Sequence, residues 1–380
     1  MELYQIALLG NPPPALEAEI RTLLEEAITA LGMTLGDEVR LHLGTGPFSP
    51  AEKLTAGVLY FGQLGAHEHQ SLSTLLTKRI PIIPVASAPE NFSVEVPISL
   101  HATNGVFICN TNAERLTAIL LESVGLLPRQ RRIFVSYKRD ESRDAALQLY
   151  EALSARLFDV FLDTHGIVEG AQFQEELWHK LSDCDVVLML DTANYFESRW
   201  TRAEFARALA KSLAILRVGW PNHGIDKRAR LARNLQLMNN DFVPGRPVFT
   251  DAAVQRIALE LESARTTSIA TRYRNLVGAV EQGIAQIGGA VTGIGVGRKI
   301  NLELPDGRAT SAYPALGIPT SPMMQDAISD EEKPVAIVYD HLGVRPQWLT
   351  HMDWLGTHIS KVRWVKGTEA AWAFADWEDA

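Results

Sequence analysis

The hydrophobic residues of this chain fall into short apolar runs that alternate with stretches of helical periodicity. The alternation repeats through three consecutive blocks, at residues 1–128, 130–266 and 268–380. Strands buried between helices read as short continuous apolar runs, and a strand–helix alternation is typical of α/β folds with parallel sheets. The pattern therefore predicts three α/β domains.

The first block has apolar runs that predict strands at residues 5–10, 39–43, 57–61 and 80–85. Apolar residues spaced three and four apart predict a helix over residues 15–31. The block contains no motif that assigns a chemistry to it. We therefore expect an N-terminal α/β domain without an assigned chemistry.

The middle block has the most regular alternation. The predicted strands cover residues 132–137, 160–162, 185–190, 213–218 and 246–249, and the predicted helices cover residues 142–157, 173–182 and 199–211. Five strand–helix units in this order favour a flavodoxin-like open sheet of five parallel strands.

The third block begins with a predicted helix at residues 272–287 and a glycine-rich segment at residues 288–297. The glycines do not have the spacing of a dinucleotide-binding loop, so they indicate a tight turn or a close backbone approach. Strands are predicted at residues 361–365 and 370–374. Five tryptophans in this block, at positions 348, 354, 364, 372 and 377, favour a small aromatic core or an oligomer interface over a stacking platform for a nucleotide.

Composition narrows the function classes. The formal net charge of −9 argues against broad binding of nucleic acids. The two cysteines, Cys109 and Cys184, build no disulfide framework, which favours a reducing compartment. No secretory signal and no apolar run of about 20 residues is apparent, so we expect a cytoplasmic protein without a membrane span. We expect no metal site, since the pair His67 and His69 lacks further ligands.

Candidate chemistry lies in the middle block. Ligands of open parallel sheets bind beyond the carboxyl ends of the strands. The candidate substrate-binding residues at this edge are Ser136, Tyr137, Lys138 and Arg139 after the first strand, and Asp163 and Gly170 in the loop after the second. All but Gly170 also have a structural alternative: a strand end for Ser136, a core position for Tyr137, charges flanking the sheet for Lys138 and Arg139, and a cap of the loop for Asp163.

The spacing Ser198-x-Trp200-x-x-x-Glu204 adds a carboxylate and an indole. If a helix begins at Ser198, Trp200 and Glu204 project from one face, one turn apart. An aromatic plane can stack on a base. A carboxylate can hold ribose hydroxyls and stabilise positive charge at the anomeric carbon. The alternatives are a solvated surface glutamate and a packing tryptophan.

Together these segments resemble the TIR (Toll/interleukin-1 receptor) domain family. Ile-Phe-Val-Ser-Tyr at residues 133–137 resembles its first conserved box, and residues 163–173 resemble its Asp…Gly…aromatic loop. Residues 198–205 resemble the Ser-x-Trp-Cys-x-x-Glu-Leu segment, with Thr201 in place of cysteine and Phe205 in place of leucine. Neither departure removes a charged or stacking group.

The resemblance implies a TIR domain at residues 130–266 in which Glu204 is the catalytic residue and Trp200 a substrate-site residue. It implies an NAD⁺ glycohydrolase that releases nicotinamide and ADP-ribose, or a cyclic form of it, with NAD⁺ as substrate and no cofactor. By the same resemblance we expect homo-oligomers formed through the TIR domain, activation by an unknown trigger (a small nucleotide signal or a protein), and a role in prokaryotic anti-phage defence. The flanking domains are then sensor or assembly modules, and for the N-terminal one we expect a TIR-like or Rossmann-like fold. The alternative is a non-enzymatic TIR scaffold for signalling assembly.

Overall fold

The computed structural model describes residues 1–66, 68–162, 171–329 and 333–377; of residues 129, 171–176 and 200 it describes the backbone alone. The described residues form three sheets of five strands each. They group into two compact units. The terminal unit comprises residues 1–127, 270–341 and 349–380, and the central unit comprises residues 128–269 and 342–348.

The first sheet belongs to the terminal unit. Its elements are β1 (Tyr4–Gly10), α1 (Pro14–Ala30), β2 (Val39–Gly44), β3 (Thr55–Phe61), α2 (Leu72–Thr77), β4 (Ile82–Ala86), α3 (Phe92–Glu95), β5 (Val106–Phe107) and α4 (Ala113–Ser123). The strands are parallel and lie in the order β2-β1-β3-β4-β5. This is the strand order of flavodoxin-like sheets.

Burial explains why these segments fold as they do. Every residue of β3 is buried, which matches its continuous apolar run. In α1 the buried residues Ile20, Leu24 and Ile28 recur every four positions and cover the sheet. At the end of β1, Gly10 has φ +85°, and a Cβ there would lie 2.1 Å from the carbonyl oxygen of Phe61. Only glycine fits this close approach.

The second sheet forms the central unit. Its elements are β6 (Arg132–Tyr137), α5 (Arg139–Ser154), β7 (Asp159–Leu162), α6 (Ala171–Asp183), β8 (Val186–Asp191), α7 (Arg199–Ala210), β9 (Ala214–Gly219), β10 (Arg233–Gln236) and the start of α8 (Asp251–Gln286). All five strands are parallel, in the order β10-β9-β8-β6-β7. The predicted flavodoxin-like sheet of five parallel strands is confirmed.

The predicted fifth strand is wrong. The strand at this edge is β10, whereas residues 246–249 lead into α8. There Phe249 packs against Phe242 and Trp220, with ring centroids 5.2 Å and 5.6 Å apart. The apolar character of this segment serves a small aromatic cluster.

Buried charges close the amino edge of the second sheet. Glu262 of α8 accepts hydrogen bonds from Arg131, before β6, and from Arg265, at 3.0 Å and 2.7 Å. All three side chains are almost fully buried. Such a cluster is stable only when every member is paired. Because this cluster occupies the amino edge of the second sheet, a ligand site is expected at the carboxyl edge.

The third sheet returns to the terminal unit. Its elements are β11 (Ala290–Ile294), β12 (Ile300–Glu303), β13 (Ala309–Ala315), α9 (Ser321–Ser329), β14 (Val335–Tyr339), α10 (Pro346–His358), β15 (Val362–Lys366) and α11 (Ala370–Ala375). Strands β11 to β13 are antiparallel and β13 to β15 parallel, so the sheet is mixed. The predicted boundary at residues 266–268 falls inside α8.

One expectation for the third block needs correction. Residues 370–374 are helical in α11, so the predicted strand there is wrong. Of the tryptophans, Trp377 is buried against Phe374, whereas Trp354 and Trp372 are exposed, so the five do not share one core and the alternative of an oligomer interface stays a prediction. The glycine-rich segment does make a turn, in which Gly297 has φ +63°.

Candidate active site

Glu204 lies on α7 and is 6% exposed. The hydroxyl of Ser136, next to the last residue of β6, donates a hydrogen bond to its Oε2 atom. Side chains alternate between the faces of a strand, so Ser136 shares a face with Phe134. On this face Phe134 packs in the same apolar cluster as Phe205, the neighbour of Glu204. The strand therefore directs the serine hydroxyl towards the carboxylate.

Tyr195 extends this contact into a chain of hydrogen bonds. Its hydroxyl lies 2.6 Å from Ser136 Oγ. The single hydroxyl proton of Ser136 is donated to Glu204, so Tyr195 must donate to Ser136. Burial, together with the nearby charge of Glu204, raises the pKa of Tyr195 well above its usual range, so this tyrosine stays a neutral donor.

The turn before α7 is held in place by a residue of α7 itself. Thr201 donates its hydroxyl proton to the carbonyl oxygen of Tyr195. Thr201 and Tyr195 are both buried. One turn of α7 therefore holds the segment that carries the tyrosine, while the next turn presents Glu204 to Ser136.

A second carboxylate, Glu141 on α5, ties together two loops at this edge. It accepts hydrogen bonds from Lys138 Nζ at 2.8 Å and from the side-chain and backbone nitrogens of Asn194 at 2.7 Å and 3.2 Å. Burial acts to raise the pKa of Glu141, but hydrogen bonds, led by the one from Lys138, outweigh it and lower the pKa to about 2. Glu141 is therefore ionised at neutral pH and anchors the loop after β8.

A buried ion pair lies at the ends of β8 and β9. Arg217 Nε donates to Asp191 Oδ2 at 2.5 Å, and both side chains are fully buried. The Arg217 guanidinium also donates to Asn234 and Gln236 of β10 at 2.5 Å and 3.1 Å. Burial raises the pKa of Asp191, although Arg217 opposes the shift. This pair couples the edge strand β10 to the loop that carries Asn194 and Tyr195.

The structure brings some of the predicted site residues together and separates others. Ser136 contacts Glu204, whereas Tyr137 points to the opposite face of β6, where it packs in another apolar cluster. Lys138 binds Glu141, and Arg139 begins α5 with a half-buried side chain.

For three further predicted site residues the structure describes no side chain. Asp163 and Gly170 lie outside the described residues. Trp200 lies in the first turn of α7, where only its backbone is described.

Sequence reasoning missed Tyr195, Glu141 and Asn194. The signal for Tyr195 was available, because the segment after β8 lies at the same edge of the sheet as the end of β6. For Glu141 the available signal was its position three residues after Lys138, which suits an ion pair on a helix.

The described part of the chain contains no cluster of three histidine, cysteine, aspartate or glutamate side chains that suits a metal ion. Of the two histidines considered above as metal ligands, His67 lies outside the described residues. Within the same residues, no helix combines the length and the apolar character that crossing a membrane requires.

Comparison with known families gives one match in the middle of the chain. The family model of the TIR domain matches residues 133–242, which include Ser136, Glu141 and Glu204. This family has signalling members and NAD-cleaving members. A comparison with curated proteins found no relative that matches the chain.

Two solved structures to which the chain is similar are distant likenesses. A protein named as a phosphosugar isomerase from Clostridium difficile 630 is 15% identical, with 73% of this chain and 90% of that chain covered and a TM-score of 0.20. An ABC transporter substrate-binding protein from Desulfitobacterium hafniense, in complex with Leu, is 12% identical, with 73% and 84% covered and a TM-score of 0.20. Likenesses this weak say nothing about the site.

Proposed function

Because the middle of this chain is a TIR domain, we propose that it is an NAD⁺ glycohydrolase with Glu204 as its central carboxylate. The observation that carries the proposal is the buried carboxylate at the carboxyl edge of the second sheet, held by Ser136. Nucleotide ligands of this sheet type bind at that edge.

In the cleavage of NAD⁺, the main contribution required of the protein is electrostatic stabilisation of the transition state. The bond between nicotinamide and ribose breaks with its electron pair going to nicotinamide, which leaves as a neutral molecule. Positive charge then develops on the ribose at the anomeric carbon. A carboxylate in a site of low dielectric stabilises that charge more strongly than water does. Addition of water gives ADP-ribose and a proton; attack by a group of the same molecule gives a cyclic product.

The hydrogen bonds of the site support a positioning role for Ser136 and Tyr195. The Tyr195–Ser136–Glu204 chain fixes one oxygen of the carboxylate, so its direction is set before a substrate arrives. A preorganised charge does not have to reorient as the transition state forms. The other proposed substrate contacts remain Arg139, Asp163, Gly170 and Trp200.

Lys138 has a more restricted place in the proposal. Its ammonium group is already paired with Glu141 at 2.8 Å. To bind a phosphate of NAD⁺ it must exchange or share this partner. We therefore propose that Lys138 acts mainly through its pair with Glu141, the carboxylate that anchors Asn194.

Two further parts of the proposal rest on the family resemblance alone. Self-assembly through the TIR domain activates the enzyme in response to a trigger, and the biological setting is prokaryotic anti-phage defence. The competing function is a TIR scaffold without activity. Both functions belong to this family, so an activity assay has to distinguish them.

The test follows nicotinamide release from NAD⁺ by the purified full chain, both free and clustered on a multivalent support. Glu204→Gln keeps the size of the side chain and removes its charge, and we expect it to abolish release. Glu151→Gln, the same change at an exposed position of α5, is the matched control and retains activity. Release that survives Glu204→Gln would refute the role of Glu204, and no release from the wild type under any clustering would favour the scaffold instead.

A further inference from the structure

A cavity of about 220 Å³ lies within the terminal unit, apart from the TIR domain. It is formed by the segment that leads into β3, the turn between α2 and β4, the end of α4, the α8 residues 270–274 and the turn after β11. The lining that matters for its chemistry consists of Glu52, Lys78, Arg79, Tyr273, Arg274 and Arg298.

The charge of this lining is positive. Among the described residues that line the cavity, four carry a cation and one, Glu52, carries a carboxylate. Arg79 has an ion-pair partner outside the lining, Glu281. With both carboxylates counted, two positive charges remain, in a chain whose formal net charge is −9. A local excess of this sign attracts anions.

Two of these cations are held by neutral groups. Lys78 Nζ donates to the carbonyl oxygen of Pro50 at 3.1 Å, and Arg274 Nη1 donates to the carbonyl oxygen of Glu52 at 2.8 Å. Carbonyl oxygens orient a cation without cancelling its charge. Lys78 and Arg274 are therefore positioned at the cavity with their charge available to a ligand.

Tyr273 provides an independent indication of a ligand. Its side chain is 7% exposed, and its buried hydroxyl has no hydrogen-bond partner among the described residues. A buried hydroxyl without a partner is unfavourable, and native proteins rarely leave one. The Arg298 guanidinium lies 5.0 Å from the centre of its ring. A ligand acceptor in the cavity would satisfy the hydroxyl.

The backbone conformation around the cavity also indicates a ligand site. Arg79 and Arg298 have φ angles of +54° and +60°, the left-handed region that favours glycine. Left-handed non-glycine residues are strained and cluster at ligand sites. Two arginines in this conformation line one cavity, although glycine or asparagine would fit either backbone better. The turns themselves do not require arginine at these two positions, so we attribute the choice of residue to the charged side chains that line the cavity.

We propose that this cavity binds a small phosphorylated compound. The phosphate group accepts hydrogen bonds from Tyr273 and Arg274 and lies close to Lys78. Phosphate suits the lining because its oxygens match the donors of arginine and lysine. The volume corresponds to roughly seven water molecules at about 30 Å³ each, enough for a phosphate on a three-carbon skeleton but too small for a nucleotide.

Calorimetric titration of the full chain tests the proposal, with inorganic phosphate, glycerol 3-phosphate and AMP as probes. We expect saturable binding of glycerol 3-phosphate, weaker binding of inorganic phosphate, and none of AMP. Arg274→Met and Tyr273→Phe should each weaken binding about tenfold or more, since each removes a donor to a charged acceptor. Tyr273→Phe keeps the ring and its packing, and thermal unfolding without ligand checks that both variants fold.

Arg21→Met is the matched control, because Arg21 is exposed on α1 and does not line the cavity. The proposal is overturned if neither small phosphate binds, if AMP binds as well as they do, or if Arg21→Met weakens binding as much as Arg274→Met. Unchanged binding in both cavity variants overturns it too. The titration contains no NAD⁺, so its outcome is independent of the proposed glycohydrolase activity.

Discussion

Replacing Ser136 by alanine tests the hydrogen-bond chain on which the candidate site depends. The hydroxyl of Ser136 joins Tyr195, at 2.6 Å, to the carboxylate of Glu204. All three side chains are buried. Alanine keeps the Cβ atom and the backbone of β6, so the substitution removes the hydroxyl and little else.

The expected cost follows from the two contacts. A neutral hydrogen bond such as that between Tyr195 and Ser136 contributes about 1 kcal/mol, and one to a charged group contributes about 1.5–3 kcal/mol. Their sum predicts a loss of about 2.5–4 kcal/mol in the free energy of unfolding of the central unit. A domain is stable by roughly 5–15 kcal/mol, so the variant should still fold.

Hydrogen exchange is the suitable assay, because a chain with two compact units need not unfold in one step. Buried amides of β8 exchange through the largest openings of the central unit. With a factor of ten for each 1.4 kcal/mol, their exchange in Ser136→Ala should be roughly 60 to 700 times faster than in the wild type. Ser154→Ala, at the end of α5, is the control and should change exchange little. Equal exchange in both variants would refute the reasoning, because the chain would then contribute nothing to stability.

Two further predictions concern single residues in each unit. The pKa of Glu141 is about 2 in the folded protein against 4.5 for the free group, so its stabilisation is complete above pH 4.5 and is lost as the pH falls from 4.5 towards 2. Thermal unfolding across this window should show the difference between wild type and Glu141→Gln shrinking with falling pH, whereas the control Ser154→Ala, which removes no ionisable group, should show no such trend. In the terminal unit, Gly10→Ala should destabilise by about 2 kcal/mol or more beyond Gly44→Ala in chemical denaturation. Both glycines have similar φ angles, +85° and +88°, but only at Gly10 would a Cβ meet a backbone oxygen, and equal losses would contradict this steric account.

The sequence predicts the strands of the central sheet where burial is continuous. Strands β6 and β8 are buried on both faces, so their apolar runs are unambiguous. The edge strand β10 alternates between half-buried and exposed residues and contains arginine, asparagine and glutamine. Its pairing depends on Arg217, whose guanidinium reaches Asn234 and Gln236. A strand that is held by a buried cation of its neighbour has no apolar signature in its own sequence.

The same distinction applies to the candidate site. Glu204 and Ser136 could be singled out because each has a fixed place in a periodic element, a helix start and a strand end. Their contact could not be derived, because it depends on which face of β6 lies against α7. Tyr137 illustrates the difficulty: it is the neighbour of Ser136 in sequence, yet it packs on the other face of the strand. A shift of one residue reverses the face, and the sequence at the strand end does not determine it.

The burial of Glu204 bears on the choice between enzyme and scaffold. A glutamate that served assembly would need an exposed carboxylate to meet a partner chain, and this one is 6% exposed. A glutamate that served only packing could be replaced by glutamine, because the amide oxygen still accepts the hydrogen bond from Ser136. Removing a carboxylate charge from water is costly, and it is tolerated where that charge has a use. If Glu204→Gln folds as well as the wild type but releases no nicotinamide, the negative charge itself is what the site requires, and neither packing nor assembly explains its retention.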